Sequence, residues 1–485
     1  MNLTMLLDMA ADGFGDRIIV GDREAGFTAE RLRALAIGAA RAVRDQGADA
    51  IIYLAVNGPA FPVAMFAAAY AGVPLVPVNY RLGADQLAAL LANHPGAYKI
   101  GGDGGVSTEE FLGAAHEAAG DEPEPLDPSA PAVLIYTSGT TSAPKGVVLR
   151  HENLVSYVFG SVEFAAAEAD EAALMSVPPY HIAAVSNVLT NLYAGRRFLT
   201  LHSFSAPEWL RLVREQRVTN AMVVPTMLAR IMDDPGLDRS VPSLRALAYG
   251  GAKMPPRVIE NALAAWPHVD FVNAYGLTET SSTVAVLGPE DHRAAFTSDD
   301  PAVRARLNSA GTVLPTVELE IRDEDGAILP AGATGRIFIR GDQVAGEYAG
   351  VGSTVDERGF FDTRDAGRLD ADGYLFVEGR IDDTIIRGAE NIAPAEIEDV
   401  LMRHPHIADA CVVGLPDEEW GQRLAAVVVP VPGGEVNPDE VRAYVRERLR
   451  SSKTPDTITC WPDLPRTPTG KILRRSVVDG LIPTA

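Results

Sequence analysis

Between residues 50 and 80 the chain carries no charged side chain, a longer uncharged stretch than the ~20 apolar residues needed to cross a bilayer. Its punctuation argues against a membrane span. Asn57-Gly58-Pro59, Pro62, Pro74 and Pro77 cut the stretch into pieces, because proline fixes φ and removes a donor, and Asn-Gly-Pro favours a turn. The pieces read as a strand over 50–56, a turn, a short Ala-rich helix over 61–70 and a second strand over 73–78. A strand-helix-strand unit this apolar must be buried, which predicts an α/β protein with a core large enough to hide it.

The remaining pattern extends that reading. Helical periodicity falls over 29–46 and 84–92, and short apolar strands over 133–137, 147–149, 247–250 and 271–275. Residues 121–131 (DEPEPLDPSAP) read as an exposed connector. From Thr316 the pattern becomes β-rich, with Glu324-Asp325-Gly326 as a hairpin signal. The final stretch orders as strand, helix over 394–403, strands over 408–413 and 425–431, helix over 439–449, and a tail rich in Pro, Thr, Lys and Arg. A chain of 485 residues implies two to four domains. The expected architecture is α/β: a large N-terminal domain of layered sheets and helices plus a β-rich layer, and a small α+β C-terminal domain.

Forty-two basic against 65 acidic residues leave a net charge of −23. Such a chain repels the nucleic-acid backbone and anionic lipid headgroups, so neither is an expected partner, and an anionic substrate needs a local island of positive charge. Two cysteines, Cys411 and Cys460, make no disulfide framework or zinc site and suit a reducing compartment. The opening MNLTMLLDMAADGFGDR has acidic residues where a signal peptide has a basic flank. A cytoplasmic protein without a transmembrane segment is the expectation.

The most specific segment is Tyr136-Thr137-Ser138-Gly139-Thr140-Thr141-Ser142-Ala143-Pro144-Lys145-Gly146. Hydroxyls, a glycine and a lysine in a strand-to-strand loop supply backbone N–H groups, short donors and one mobile cation, which is what a polyphosphate needs. A Walker A loop would end in Gly-Lys-Ser/Thr, and neither this segment nor Gly470-Lys471-Ile472 does.

On these residues the chain resembles the adenylate-forming superfamily of acyl-CoA synthetases, luciferases and peptide-synthetase adenylation domains, over essentially its whole length. Ser142 stands where that family usually has glycine. The resemblance assigns the loop Thr137, Ser138, Gly139, Thr140, Thr141, Ser142 and Lys145 to ATP phosphates. Pro179-Tyr180-His181 resembles the motif whose histidine sits beside the carboxylate and the thiol channel; alone, such a histidine is more often a core or cap residue. Gly251 and Ala252, with Asn273-Ala274-Tyr275-Gly276-Leu277-Thr278-Glu279, resemble the adenine and acyl segments. Tyr275 would stack on adenine, Thr278 donate to the α-phosphate and Glu279 hold Mg²⁺. Without that context, Tyr-Gly-x-Thr-Glu would be an ordinary turn capped by Thr278.

Further along, Thr363-Arg364-Asp365 matches the family's Thr-x-Asp, which implies that Asp365 accepts both ribose hydroxyls. Arg380 would lie near the ribose, and Asp382 would be the hinge between domains 1–381 and 382–485, the second of them mobile. Gly388 and Ala389 fall in a loop that meets CoA, where Ala389 replaces a usual glycine. Trp420 has two readings, stacking on the CoA nucleotide or half-exposed packing. Lys471, in Thr467-Pro468-Thr469-Gly470-Lys471-Ile472, matches the family's catalytic lysine.

The resemblance implies an acid–thiol ligase that uses ATP, Mg²⁺ and CoA, with Lys471, His181, Glu279 and Thr278 at the reacting centre. Candidate acyl-pocket segments, 181–187, 223–227 and 250–252, contain no Arg or Lys, which argues against a dicarboxylate. An apolar monocarboxylic acid, fatty or cyclic, fits best. Rival readings are a ligase loading an acyl carrier protein, disfavoured because 341–360 lacks room for the insertion such relatives carry, a luciferase-type oxygenase, and an inactive nucleotide or acyl-CoA sensor. The expected partners are small molecules, with a homodimer as the assembly to test.

Overall fold

A computed structural model describes every residue except 118–126, 138–144, 388–389, 418–419, 450, 468–469 and 483–485. Most of the connector, Ser138 to Ser142, Gly388 and Ala389 therefore lie outside the described residues.

The uncharged stretch folds as strand Ile51–Tyr53, helix Ala60–Ala71 and strand Leu75–Pro77. Nearly every side chain of that helix is buried, so it needs no polar face. It packs against helix Ala29–Asp45, whose cap Thr28 accepts from the Arg31 N–H at 3.0 Å. The opening residues, for which no helix was expected, form helix Leu3–Phe14, which sinks Leu3, Leu6, Leu7, Ala10 and Phe14 into the same core.

Two sheets build the large domain. A seven-stranded sheet carries Ile51–Tyr53, Leu75–Pro77, Pro131–Thr137 and Lys145–Arg150 in its interior. A nine-stranded sheet carries parallel neighbours Ala172–Met175, Asn220–Val223, Ala246–Gly250 and Asp270–Leu277. The register sets Val223 beside Tyr249, and Tyr249 beside Asn273. The segments that follow these strands therefore emerge side by side at one sheet edge, the usual place for a ligand crevice in parallel sheets. Those segments are 176–181, 224–227, 251–252 and 278–279.

The β-rich layer is a four-stranded antiparallel sheet of Glu318–Arg322, Gly335–Arg340, Phe361–Leu369 and Leu375–Arg380. The Glu324-Asp325-Gly326 turn forms, with Gly326 at φ 85°, but only an isolated bridge, Arg322 to Ile328, follows it. The expected hairpin is thus a turn with one rung, and the next full strand starts at Gly335.

The smaller C-terminal domain centres on three strands, Ile407–Asp417, Gly421–Pro430 and Thr457–Cys460. One face buries Ala410, Val412, Leu424, Ala426 and Val428 with side chains of helices Pro394–Leu401 and Pro438–Arg448. The other buries Cys411, Val413, Ala425 and Val427 with Val477 of helix Arg474–Leu481. Covering both faces explains the unbroken apolar run in Gly421–Pro430. Among the described residues no helix is long and apolar enough to cross a membrane.

Candidate active site

Asp365 and Arg380 are direct neighbours across antiparallel strands. The Arg380 guanidinium donates to Asp365 Oδ1 at 3.0 Å and to the Thr363 carbonyl at 2.9 Å. Tyr275 Oη donates to the other carboxylate oxygen at 2.6 Å. Asp365 is only 7% exposed. Burial pushes its pKa above the ordinary carboxylate range, and the fields of Arg380, Tyr275 and Lys471 oppose that rise. Each carboxylate oxygen keeps a lone pair for a further donor, as a ribose diol requires.

Tyr275 reaches this position through a bulge. The pairing of Asp270–Leu277 with Ser282–Leu287 shifts between Tyr275 and Gly276, and a Cβ on Gly276 would strike the Ser282 carbonyl. Thr278–Thr280 then form a tight turn, followed by Ser281 and Ser282 at φ 57° and 117°. Two consecutive non-glycine residues in left-handed space mark local strain next to the chemistry. Asn273 is anchored through its amide nitrogen. Its amide donates to the Ser309 carbonyl at 2.9 Å, tying the strand to its neighbouring loop.

Glu279 accepts from Tyr348 Oη at 2.8 Å. Lys145 Nζ lies 5.7 Å from the centre of the same tyrosine ring. Lys145 pairs across the strands with Thr137, so the two ends of the hydroxyl-rich loop are held together. Among the described residues no group of three or more His, Cys, Asp or Glu side chains gathers to cage a metal. A lone carboxylate with the Lys145 ammonium on the same tyrosine fits Mg²⁺, which is usually held by one or two carboxylates and by substrate phosphates.

His181 follows strand Ala172–Met175 and caps helix Ile182–Ala194, its Nδ1 accepting from the Ala183 N–H at 3.2 Å. Desolvation lowers its pKa to about 4. With Nδ1 as acceptor on a neutral ring, the proton sits on Nε2. The cap and the ligand-facing readings are therefore compatible.

Lys471 sits in a small closed loop. The Thr467 N–H donates to the Lys471 carbonyl at 2.8 Å, and the Lys471 N–H to Thr467 Oγ1 at 3.1 Å. Arg466 donates to the Gly470 carbonyl at 2.5 Å and pairs with Asp409. Gly470 has φ 82°, and a Cβ there would come 2.8 Å from Thr226 Oγ1. The C-terminal domain thus presses this loop onto the large domain, with the Lys471 charge acting on Asp365. Lys253 and Asp399 form an ion pair across the two domains. A cleft of about 350 Å³ runs between Arg81, Ser176 and Thr226 on one side and Thr467 and Gly470 on the other.

Trp420 is 48% exposed, and the Arg387 guanidinium lies 5.7 Å from its ring centre. Exposed Ile386 adjoins it in sequence, and the Ile386 N–H donates to Gln422 at 2.6 Å. A ring this exposed is compatible with both readings of Trp420. Tyr348 and Arg364 were not anticipated, whereas Thr226 falls within segment 223–227, read as acyl pocket, and meets the Lys471 loop. Tyr348 lies in a two-residue strand with no periodicity to betray it, and its partner Glu279 is 69 residues away.

Residues 96–349 match the model of the AMP-binding enzyme family, and residues 396–471 that of the AMP-binding enzyme C-terminal domain. Feruloyl-CoA synthase of an Amycolatopsis species is 34% identical over 457 residues, covering 90% of each chain. Fatty acid–[acyl-carrier-protein] ligase of Streptomyces coeruleorubidus is 33% identical, covering 89% of this chain and 86% of its own. The solved o-succinylbenzoate CoA synthetase of Bacillus subtilis, in complex with its acyl-adenylate intermediate, superposes with a TM-score of 0.84 at 27% identity over 97% of both chains. The same enzyme is also known with ATP and magnesium ion. With both of its family models matched in order along one chain, this protein belongs to the AMP-binding enzyme family within the adenylate-forming superfamily.

Proposed function

We propose that the chain is an acid–thiol ligase that joins an apolar monocarboxylic acid, fatty or cyclic, to CoA through an acyl-adenylate. The observation that carries this is the convergence of Asp365, Tyr275 and Arg380 with Glu279 and Lys145, closed over by the Lys471 loop.

A carboxylate oxygen of the acid attacks the α-phosphorus of ATP, and the bond to pyrophosphate breaks. Like-charge repulsion makes positioning and neutralisation the enzyme's main work. Asp365 anchors the ribose, Thr278 donates to the α-phosphate, and Lys145 and Lys471 offset the charge that a −23 chain cannot spread. Mg²⁺ on Glu279 would screen the phosphate oxygens and ease the departure of pyrophosphate. His181 Nε2–H donates toward the acid's carboxylate. In the second half-reaction the CoA sulfur attacks the acyl carbon and AMP leaves.

The domains are 1–381 and 382–485, with Asp382 as hinge. The arrangement described, with Lys471 turned toward Asp365, is the adenylating one. Thioester formation would follow rotation that brings Gly388, Ala389 and Trp420 to the cleft. Thr137, the loop 138–142, Gly251, Ala252, Ala274 and Gly276 complete the nucleotide surround. Met227, which lines the cleft, and the absence of Arg and Lys from segments 181–187, 223–227 and 250–252 support an apolar substrate, as do relatives acting on ferulate, indoleacetate and fatty acids.

One relative loads a carrier protein, so the lack of an insertion in 341–360 does not by itself choose the acceptor. Pyrophosphate release across a panel of fatty and aromatic acids, with CoA or a phosphopantetheinylated carrier protein as acceptor, tests the reading. Release with an apolar acid and thioester on CoA supports it; thioester on the carrier alone replaces CoA. No release with any acid leaves the sensor reading. A cytoplasmic homodimer is the proposed setting, tested by light scattering and fractionation.

A further inference from the structure

Tyr348 touches both charged groups of the phosphate end. Its short strand, Glu347–Tyr348, pairs with Val147 of the strand that begins at Lys145. Its hydroxyl donates to Glu279 Oε1 at 2.8 Å, and its ring lies 5.7 Å from Lys145 Nζ. The same segment holds Glu279 by its backbone as well: the N–H groups of Ala345 and Gly346 donate to the Glu279 carbonyl at 2.9 and 3.2 Å.

The choice of an uncharged donor matters. A lysine or arginine paired with Glu279 would neutralise it and compete with a metal. Arg380 is near enough for Glu279 to act on it, yet its Nη1 is engaged by Asp365 and the Thr363 carbonyl. The phenol holds the carboxylate by Oε1, and among the described residues Oε2 accepts no hydrogen bond. The ring face attracts the Lys145 ammonium without cancelling its charge, and the ring stands as a spacer that keeps Lys145 from collapsing onto Glu279.

We propose that Tyr348 is the positioning residue for the metal end of this site, orienting Glu279 toward Mg²⁺ and holding Lys145 apart for phosphate. The proposal rests on reading Glu279 as the Mg²⁺ ligand. Groups that orient a metal ligand typically change metal affinity by 10–100-fold when removed.

Calorimetric titration of the full chain with ATP, with and without Mg²⁺, tests it. Tyr348→Phe keeps the ring and is expected to weaken Mg·ATP binding about 10-fold while leaving metal-free ATP affinity unchanged. Tyr348→Leu should weaken metal-free ATP binding as well, because Lys145 is released. Adding Tyr348→Phe to Glu279→Gln should cost nothing more. If Tyr348→Phe matches wild type while Glu279→Gln is impaired, the positioning role is wrong and the metal reading stands. If Glu279→Gln also matches wild type, the metal reading fails and the proposal with it. Equal loss with and without Mg²⁺ in Tyr348→Phe also overturns it, since a general disturbance of the site would look like that.

Discussion

The guanidinium of Arg364 lies 3.6 Å from the carboxylate of Asp382, and it starts from a backbone held at φ 59°. Left-handed space costs a side-chain-bearing residue roughly 1–2 kcal/mol. The turn that imposes it, with the Arg364 N–H donating to Asp362 Oδ1 at 2.9 Å, also presents Asp365 to the site. Arg364 therefore links the ribose turn to the proposed pivot.

Replacing Arg364 with glycine removes both the strain and the ion pair. Relief of the strain is offset by the ~0.5–1 kcal/mol that glycine's freedom costs and by the lost pair, so thermal stability should stay roughly level. An exposed pair contributes at most ~1 kcal/mol, so single-turnover acyl-AMP formation should slow by no more than about fivefold. Faster adenylation would show that the pair holds the domains in the wrong arrangement.

Lys471→Ala should abolish acyl-AMP formation and spare conversion of supplied acyl-adenylate to thioester. Gly470→Ala should resemble it in kind. The added methyl meets Thr226 only while the loop is docked on the large domain. Quenched-flow assays of each half-reaction separate these outcomes, and equal damage to both halves by Lys471→Ala would contradict its assignment to the first.

Asp382 lies in the tight turn Ile381–Asp383, whose helical φ is close to that of proline. Asp382→Pro should accordingly favour the adenylating arrangement, making acyl-adenylate and stalling before thioester. Survival of both half-reactions at wild-type rates would move the pivot elsewhere.

His181 gives a pH signature. Its ring is held at about 4, whereas the unfolded chain takes up that proton near ~6.5. Its share of stability is intact above pH ~6.5 and is lost as the pH falls from there through about 4. His181→Asn keeps a cap acceptor and should make the protein less acid-sensitive than wild type in urea melts across this window. The comparison must be between variant and wild type, because His94, His151 and His292 are shifted the same way. Greater acid sensitivity in the variant would reverse the assignment.

Much of this architecture is readable from residues alone, for local reasons. The prolines between 50 and 80 delimit a buried helix to within a residue at each end, and the Thr-Ser-Gly-Thr loop, Asp365 and Lys471 are recognisable by motif. What connects them is not local. Tyr348 has meaning only because its strand registers with Val147. Nothing local announces that the amide nitrogen of Asn273 is held by the Ser309 carbonyl, 36 residues on. The helix Leu3–Phe14 is buried by partners that follow it in the chain, so its short apolar pattern carries little weight alone.

Half-buried Arg474 donates to Glu398 at 2.6 and 2.9 Å and to the Val412 carbonyl at 2.7 Å, and it lies 3.2 Å from Asp383. It thereby rivets the last helix, the helix Pro394–Leu401 and the strand Ile407–Asp417 to the residue next to the proposed pivot. On the proposed rotation about Asp382, these three elements would turn together as a crank rather than as a flap. Which half-reaction the enzyme is ready for then reduces to one angular coordinate, and a ligand gripping any part of the crank would set that angle for the whole.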